Sequence, residues 1–235
     1  MLASGIGQQA IQLQNDAHDK ITRMKSYIVL LSSFLFFLSA CTSAPTPAAP
    51  PAPSGTVLFQ DEFDASTSGW DRFANDGGIM DYFEGGFRIL VQRPGLNFWS
   101  TPQKNYGDVR VEADTLKLAG PDENRMGLMC RYQGGSYYFF IISDDGYYAI
   151  GKFIKSQTVL LGQNEMRSSA LIQPNVVKHL RADCIGNTLT FYLNDTRLAV
   201  TQDADLPAGD VGVLAGSFSQ PGVDVSFDHF MVTQP

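Results

Sequence analysis

Residues 127–153 carry the clearest pattern of apolar and polar positions in the chain. Three runs rich in β-branched and aromatic residues are separated by two turn signals, GGS at residues 134–136 and DDG at residues 144–146. This pattern predicts a three-stranded antiparallel meander. The middle run, residues 137–142, reads YYFFII and is apolar throughout. Both faces of that strand therefore need cover, one from the core and the other from a partner or a ligand groove.

The remaining sequence beyond residue 55 alternates apolar and polar positions over short runs. A Gly-Gly pair at residues 85 and 86 predicts a hairpin over residues 82–91, and residues 109–115 alternate strictly between the two classes. A second meander is predicted over residues 179–202, with further short strands at residues 57–63, 98–99, 158–161, 211–214 and 223–232. About a dozen short strands without a convincing amphipathic helix predict an all-β sandwich of two antiparallel sheets.

The first forty residues have the pattern of an export signal. A short apolar run at residues 28–38 follows Lys20, Arg23 and Lys25 and is too short to span a bilayer. It ends in LSAC at residues 38–41, which resembles the lipobox of bacterial lipoproteins. That resemblance implies that residues 1–40 are removed and that Cys41 is lipidated. A start at Met24 would give a signal of ordinary length and make residues 1–23 an over-called start.

The segment after the predicted lipidation site is a spacer. Residues 41–54 contain five prolines and no large apolar side chain, which favours an extended tether. Residues 55–235 then form one β-sandwich domain. Because several acyl chains anchor a protein stably, we expect the domain to sit in the cell envelope, on the extracytoplasmic membrane surface. A glycan or an envelope protein is the expected partner there.

The charge balance argues against one class of partner. The sequence has 17 Lys plus Arg against 24 Asp plus Glu, a net charge of -7 and a pI near 4.8. Because binding to nucleic acid requires a basic surface that neutralises phosphates, nucleic acid is not an expected partner.

The two cysteines of the β-rich region predict a disulfide. Cys130 and Cys184 form an even pair in a chain expected to leave the cytoplasm, where disulfides persist. Alternation places Leu128, Cys130 and Tyr132 on one face of their strand and Cys184 with the apolar face of another. The alternative is a pair of buried free thiols.

Several short motifs, in this order, resemble the concanavalin A-like lectin/glucanase superfamily, and in particular its laminin-G-like and 3-keto-disaccharide hydrolase-type domains. The motifs are FxDxF at residues 59–63, GW at 69–70, GFRI at 86–89, CRY at 130–132, LxFYxN at 189–194 and GxVGV at 209–213. The resemblance covers residues 55–235 and implies a jelly-roll sandwich with one concave face. Members of the superfamily include lectins, hydrolases and adhesion modules, so the fold alone implies no single function.

A polar strand face is the first candidate for a ligand site. If the cysteines face the core, the opposite faces of the strands carry Arg110, Glu112, Asp114, Arg131, Arg181, Asp183 and Tyr192. Arginines, carboxylates and an aromatic plate suit the hydroxyls and apolar ring faces of sugars. The alternative is a solvated face with cross-strand ion pairs. Tyr137 and Phe139 are further candidates, although an unbroken apolar run does not reveal which of its faces points inward.

A catalytic site of the superfamily is only partly matched. Glu112-x-Asp114 resembles the start of the Glu-x-Asp-x-Glu pattern of laminarinase-like glycosidases, but Leu116 and Lys117 stand where a further carboxylate is expected. Glycoside hydrolysis requires two carboxyl groups that flank the scissile bond. The sequence therefore favours a non-catalytic carbohydrate-binding module. A glycan-active hydrolase and a protein-interaction or structural domain of the envelope are the alternatives.

Acidic residues near both ends of the domain suggest a structural calcium site. Calcium prefers oxygen ligands, and Asp61 and Asp228 lie on terminal strands that often pair in such sandwiches. The alternative is that these are ordinary acids at strand ends and turns.

Overall fold

The structure is a computed structural model that describes residues 53–235. The predicted signal peptide, Cys41 and most of the tether lie outside the described residues. Within residues 53–235 no helix is long and apolar enough to cross a membrane. The described chain consists of strands joined by turns and short loops.

Sixteen strands follow one another along the chain. They are β1 (Val57–Asp61), β2 (Phe73–Asn75), β3 (Gly78–Phe83), β4 (Gly86–Val91), β5 (Asn97–Ser100), β6 (Val109–Ala119), β7 (Asn124–Gln133), β8 (Ser136–Ser143), β9 (Tyr147–Ile154), β10 (Gln157–Leu160), β11 (Arg167–Ser168), β12 (Lys178–Ile185), β13 (Thr188–Leu193), β14 (Thr196–Gln202), β15 (Asp210–Ser217) and β16 (Val223–Thr233). Both predicted meanders and the predicted Gly-Gly hairpin are confirmed.

The strands form two antiparallel sheets. One has nine strands in the order β14-β13-β12-β6-β16-β4-β3-β2, with β1 paired to β16. The other has seven strands in the order β10-β9-β8-β7-β15-β5, with β11 paired to β9. Each sheet turns one apolar face towards a shared core, which confirms the predicted two-sheet sandwich.

Alternation along the strands builds the core. In the seven-stranded sheet, Tyr138, Phe140 and Ile142 of β8 are buried in the main cluster. The nine-stranded sheet contributes Phe87, Phe191 and Phe227, among others, and the Phe140 and Phe191 ring centroids lie 5.8 Å apart. Side chains of both sheets thus interdigitate at one interface.

The other face of β8 is also covered. Tyr137, Phe139 and Ile141 form a second apolar cluster with Met129 and Leu214 on the outer side of the seven-stranded sheet. The expectation that both faces of this strand are covered is therefore confirmed. The outer cluster is the starting point for the candidate site.

A disulfide joins the two sheets. Cys130 lies on β7 of the seven-stranded sheet and Cys184 on β12 of the nine-stranded sheet, and their Sγ atoms are bonded. The predicted pairing is confirmed.

Main-chain hydrogen bonds from Gly55 N to Gln234 O (2.8 Å) and from Gln234 N to Thr56 O (2.9 Å) join the first and last described segments of the sandwich. Residues 53–235 hold the core shared by both sheets and lie within one compact unit, so the experiments below use this segment.

We expect the disulfide to contribute substantially to stability. It closes a loop of 54 residues, and constraint of the unfolded chain by a loop of this size corresponds to about 2–4 kcal/mol. In urea denaturation of residues 53–235, replacement of both cysteines by alanine should lower the free energy of unfolding by about that amount. The unfolded wild-type domain should show no free thiol; two free thiols and no loss of stability in the variant would contradict the prediction.

Candidate functional site

A groove runs over the outer face of the seven-stranded sheet. It encloses about 390 Å³. Its lining comes from β5, β7, β8, β10, β15 and the adjoining loops: Gly95, Asn97, Arg125, Tyr137, Phe139, Ile141, Thr158, Leu160, Met166, Leu214 and Phe218. The strand that carries the unbroken apolar run therefore supplies the centre of this surface.

Aromatic rings surround Tyr137 in and beside the groove. Its ring centroid lies 5.6 Å from that of Trp99 on β5, 6.1 Å from that of Tyr132 on β7 and 5.6 Å from that of Phe153 on β9. The Phe153 ring is nearly parallel to it, with an interplanar angle of 27°. Phe139 continues the row along β8, with centroids 6.5 Å apart. Four strands of the sheet, β9, β8, β7 and β5, thus contribute one aromatic surface, which crosses β15 between β7 and β5.

Two glycines leave the space that this surface needs. Gly151 faces Phe139 across the β8–β9 pair, and a Cβ atom at residue 151 would lie 2.2 Å from Cζ of Phe139. A Cβ atom at Gly216 would lie 2.0 Å from Oδ1 of Asn97. Glycine within a strand often marks such a close approach, and here it allows the ring and the amide to lie flat on the sheet.

A guanidinium lies in the lining of the groove. Nη1 of Arg125 donates hydrogen bonds to Oδ1 of Asn97 (2.8 Å) and to the carbonyl oxygen of Ser217 (2.9 Å). Its Cζ atom lies 3.7 Å from the ring centroid of Phe218. Burial lowers the pKa of Arg125, and burial raises the pKa of Tyr137 to about 12. The groove thus combines apolar ring faces with two desolvated polar groups.

The polar face predicted from sequence lies on the other side of the molecule. The outer face of the nine-stranded sheet brings together Arg110, Glu112, Asp114, Arg181, Asp183 and Tyr192. There, Oδ1 of Asp183 accepts from Nε of Arg110 at 2.9 Å and Oδ2 accepts from Nη2 of Arg181 at 2.7 Å. Burial raises the pKa of Asp183, but the bonds from Arg181 and Arg110 bring it below its ordinary value. Arg181 also stacks on Tyr192, 4.2 Å from the ring centroid. These groups pair with one another.

Arg131 is not part of that face. A β-bulge interrupts β7 after Cys130, and Arg131 adopts a φ of 56°. The side chain is 2% exposed and donates to the carbonyl oxygens of Leu206 (2.9 Å) and Gly186 (2.8 Å) as well as to Asp108 (3.1 Å). It therefore binds loops together inside the domain.

The same bulge corrects a second expectation from the alternation of β7. Tyr132 was expected to share the face of Leu128 and Cys130, which is the core face. It packs instead with the outer cluster beside Trp99, because the extra residue shifts the alternation by one position.

Two histidines join the carboxylates of the polar face into a chain. Nδ1 of His179 lies 2.8 Å from Oδ1 of Asp114, and its Nε2 lies 3.6 Å from Oε1 of Glu112. Oδ2 of Asp114 lies 3.3 Å from Nδ1 of His229. The carboxylate of Glu112 raises the pKa of His179 to about 9; burial opposes the shift and Asp114 adds to it. Glu112 and Asp114 are thus engaged with imidazoles.

The two expected calcium ligands have different surroundings. Oδ1 of Asp61 accepts from the backbone N–H of Phe63 and Oδ2 accepts from Nε1 of Trp70, each at 2.8 Å. Asp228 instead lies beside Glu62 and His229, and one ligand atom from each of these three lies within 4.8 Å of the others. Two carboxylates and an imidazole form a donor set closer to that of zinc than to the all-oxygen set of calcium.

Comparison with known proteins gives matches in structure alone. No family model and no curated protein matches the chain. A carbohydrate-binding module from Bacillus subtilis, CBM66, superposes with a TM-score of 0.58 at 16% identity, covering 71% of this chain and 96% of the module. A laminarinase from Flavobacterium sp. UMI-01 gives a TM-score of 0.55 at 12% identity, with 76% of this chain and all of the enzyme covered. The chain has the concanavalin A-like jelly-roll fold.

The same jelly roll occurs in a Bacillus licheniformis β-glucanase, with a TM-score of 0.53 at 11% identity, covering 75% of this chain and 97% of the enzyme. Because these proteins include both a binding module and hydrolases, the fold does not decide between binding and cleavage.

Part of the groove could have been found from sequence. The run at residues 137–142 made Tyr137 and Phe139 candidates for a ligand groove, without revealing which face of the strand points outward. Trp99 and Asn97 carried no comparable signal, because β5 pairs with β15, which is distant in sequence, and Arg125 meets Asn97 only through that same arrangement of strands.

Arg131 and Arg181 should differ sharply in their effect on stability. Arg131→Met leaves buried carbonyl groups without donors and should lower the free energy of unfolding by about 3 kcal/mol. Arg181→Met should cost less, about 1.5 kcal/mol, because the buried carboxylate of Asp183 keeps its hydrogen bond from Arg110. Urea denaturation of both variants checks this, and equal losses would show that Arg131 has no special structural role.

His179 should make stability depend on pH above neutrality. Its pKa is raised from 6.5 in the unfolded chain to about 9 in the folded domain. The stabilisation is therefore present in full below pH 6.5 and is lost as the pH rises towards 9. Thermal unfolding between pH 6 and pH 9.5 should show this decline, and His179→Gln should flatten it. An identical decline in the variant would assign the effect to other groups.

Proposed function

We propose that residues 53–235 are a non-catalytic carbohydrate-binding module and that the groove on the seven-stranded sheet is its binding site. The proposal depends on one observation, the aromatic surface around Tyr137. Trp99, Tyr132 and Phe153 all lie within 6.4 Å of a neighbouring ring of this surface. Sugars present apolar ring faces that stack on such side chains, and polar groups at the edge of the groove then fix their hydroxyls.

The lining of the groove favours binding over hydrolysis. None of the lining residues, all of which fall within residues 53–235, carries a carboxyl group. Glycoside hydrolysis needs two such groups on either side of the scissile bond. Glu112 and Asp114 lie on the opposite sheet and contact His179. The resemblance in fold to the laminarinase therefore comes without a matching catalytic pair in the groove.

A glycan also fits this surface better than a protein partner. Tyr137 and Phe139 lie in a groove enclosed in part by β10 and by the loop that carries Met166, and the other rings of the aromatic surface lie beside it. A protein interface would use a broader, flatter apolar patch.

In this proposal the module is displayed at the cell surface. Cys41 carries the lipid anchor and residues 42–54 hold the domain away from the membrane, where it meets glycans of the envelope or of the surroundings. Metabolic labelling with a palmitate analogue, compared with a Cys41→Ala chain, tests this part separately from glycan binding.

The binding function is tested with residues 53–235 on a panel of immobilised neutral and acidic polysaccharides, with calcium or EDTA, while released reducing sugar is assayed. We expect retention on at least one polysaccharide without sugar release. Trp99→Ala should weaken that retention about tenfold, because it removes one stacking surface. Tyr192→Ala, an aromatic deletion on the opposite sheet, is the matched control and should bind as the wild type does.

Three results would contradict the proposal in different ways. Release of reducing sugar would identify a hydrolase. Loss of binding in Tyr192→Ala but not in Trp99→Ala would place the site on the polar face. Absence of retention on every polysaccharide would favour a protein partner.

A further inference from the structure

Arg125 is unusual among the arginines of the domain. The other arginines of residues 53–235 that are buried or half-buried, Arg88, Arg110, Arg131 and Arg181, each form an ion pair with an aspartate. Arg125 is half-buried too, yet its protein acceptors are the amide oxygen of Asn97 and the carbonyl oxygen of Ser217, which are both neutral. Among residues 53–235 its guanidinium forms no ion pair within 4.0 Å, and the nearest influence of opposite charge is the longer-range one of the exposed Glu123.

A cation removed from water without a counter-charge is costly to the folded state. The domain nevertheless holds Arg125 in a fixed position. Both hydrogen bonds use Nη1, and Cζ of the guanidinium lies over the ring of Phe218. Gly216 leaves the space that the Asn97 amide needs to reach it. The arrangement is that of a positioned donor, since three separate contacts fix one side chain at a functional surface.

The unused donors of Arg125 are available to a ligand. Nε and Nη2 form no hydrogen bond with any residue of 53–235, and Arg125 contributes to the lining of the groove. Tyr137 also lines the groove, and its hydroxyl has no partner in the same part of the chain. Two adjacent N–H groups of a guanidinium match the two oxygens of a carboxylate or sulfate, and a phenol hydroxyl supplies a third donor.

We propose that Arg125 binds an anionic substituent, a carboxylate or a sulfate, of the sugar in the groove, so that the module prefers acidic to neutral glycans. This inference rests on the proposed glycan-binding function. The ligand supplies the direct ion pair that Arg125 does not form with any residue of 53–235, and the aromatic rings beside it hold the apolar face of the same or the next sugar.

The net charge of the chain makes this preference informative. At -7, the chain repels polyanions at long range. Retention on an acidic polysaccharide would therefore occur against the overall charge and would indicate a local site of positive charge.

The test compares oligosaccharides that differ only in charge. Uronic acid oligosaccharides that the domain retains are carboxyl-reduced to neutral sugars of the same length and stereochemistry, and both forms are titrated calorimetrically into residues 53–235. A sulfated oligosaccharide and its desulfated form make a second pair, which distinguishes the two sources of negative charge. We expect the wild type to bind one acidic form at least tenfold more tightly than its neutral counterpart.

Two variants assign the preference to the guanidinium. Arg125→Gln should bring the affinities for the acidic and neutral forms to within about twofold of each other, while neutral binding is kept. Arg125→Lys should retain part of the preference, because a single charge remains without bidentate geometry. Arg197→Gln, an exposed arginine on β14 of the other sheet, is the matched control and should behave as the wild type. Thermal unfolding of each variant establishes that it is folded.

Results that would overturn the role of Arg125 can be told apart from a result that would overturn glycan binding itself. Equal affinities of the wild type for charged and neutral forms would overturn the role of Arg125 and keep the module. An acidic preference that survives in Arg125→Gln would also overturn the role of Arg125 while leaving the glycan-binding function in place. If folded Arg125→Gln and Arg125→Lys both lose neutral and acidic binding alike, Arg125 shapes the groove and does not select charge. Failure of every polysaccharide to bind would remove the function itself.

Discussion

The apolar side chains on both faces of β8 are the constraint on which the rest of the structure depends. Tyr138, Phe140 and Ile142 fill the space between the sheets, while Tyr137, Phe139 and Ile141 cover the outer side. A strand buried on both faces cannot lie at the surface of a simple sandwich with one solvated side. The β9–β10 hairpin and the loop that follows it enclose the outer face in part. An apolar groove remains open beside this partial cover. We propose that glycan binds in that groove.

The two outer faces of the domain differ in how their charges are satisfied. On the nine-stranded sheet the carboxylate of Asp183 is bound by two arginines, and Asp114 lies between two histidines. That face needs no ligand to balance it. On the seven-stranded sheet Arg125 keeps free donors and has no ion-pair partner within residues 53–235. A ligand therefore has more to gain from the aromatic groove than from the more highly charged face.

Local sequence was enough to predict most of the strands, with the exception of the short strands β2 and β11, but not how the strands are arranged. Turn residues at 134–136, 144–146 and 85–86 predicted the hairpins, and alternation around Cys130 and Cys184 supported the predicted disulfide; the structure contains both. Neither signal reveals that β7 belongs to one sheet and β12 to the other. Residues of the two strands that lie opposite the core therefore point to opposite sides of the molecule. The bulge at Arg131 moved that residue inward and Tyr132 outward, and a single extra residue leaves no trace in an apolar pattern.

The central claim, that glycan binds on the seven-stranded sheet, is tested most directly by tryptophan fluorescence. The sequence has two tryptophans: Trp99 lies beside the groove, and Trp70 is 4% exposed in the core, where it donates to Asp61. Titration with an oligosaccharide that the domain retains should change the emission of the wild type and shield it from acrylamide, with the same Kd as calorimetry. In Trp99→Phe the emission should stay constant. Calorimetric binding that leaves the emission of the wild type unchanged would place the ligand elsewhere and contradict this account.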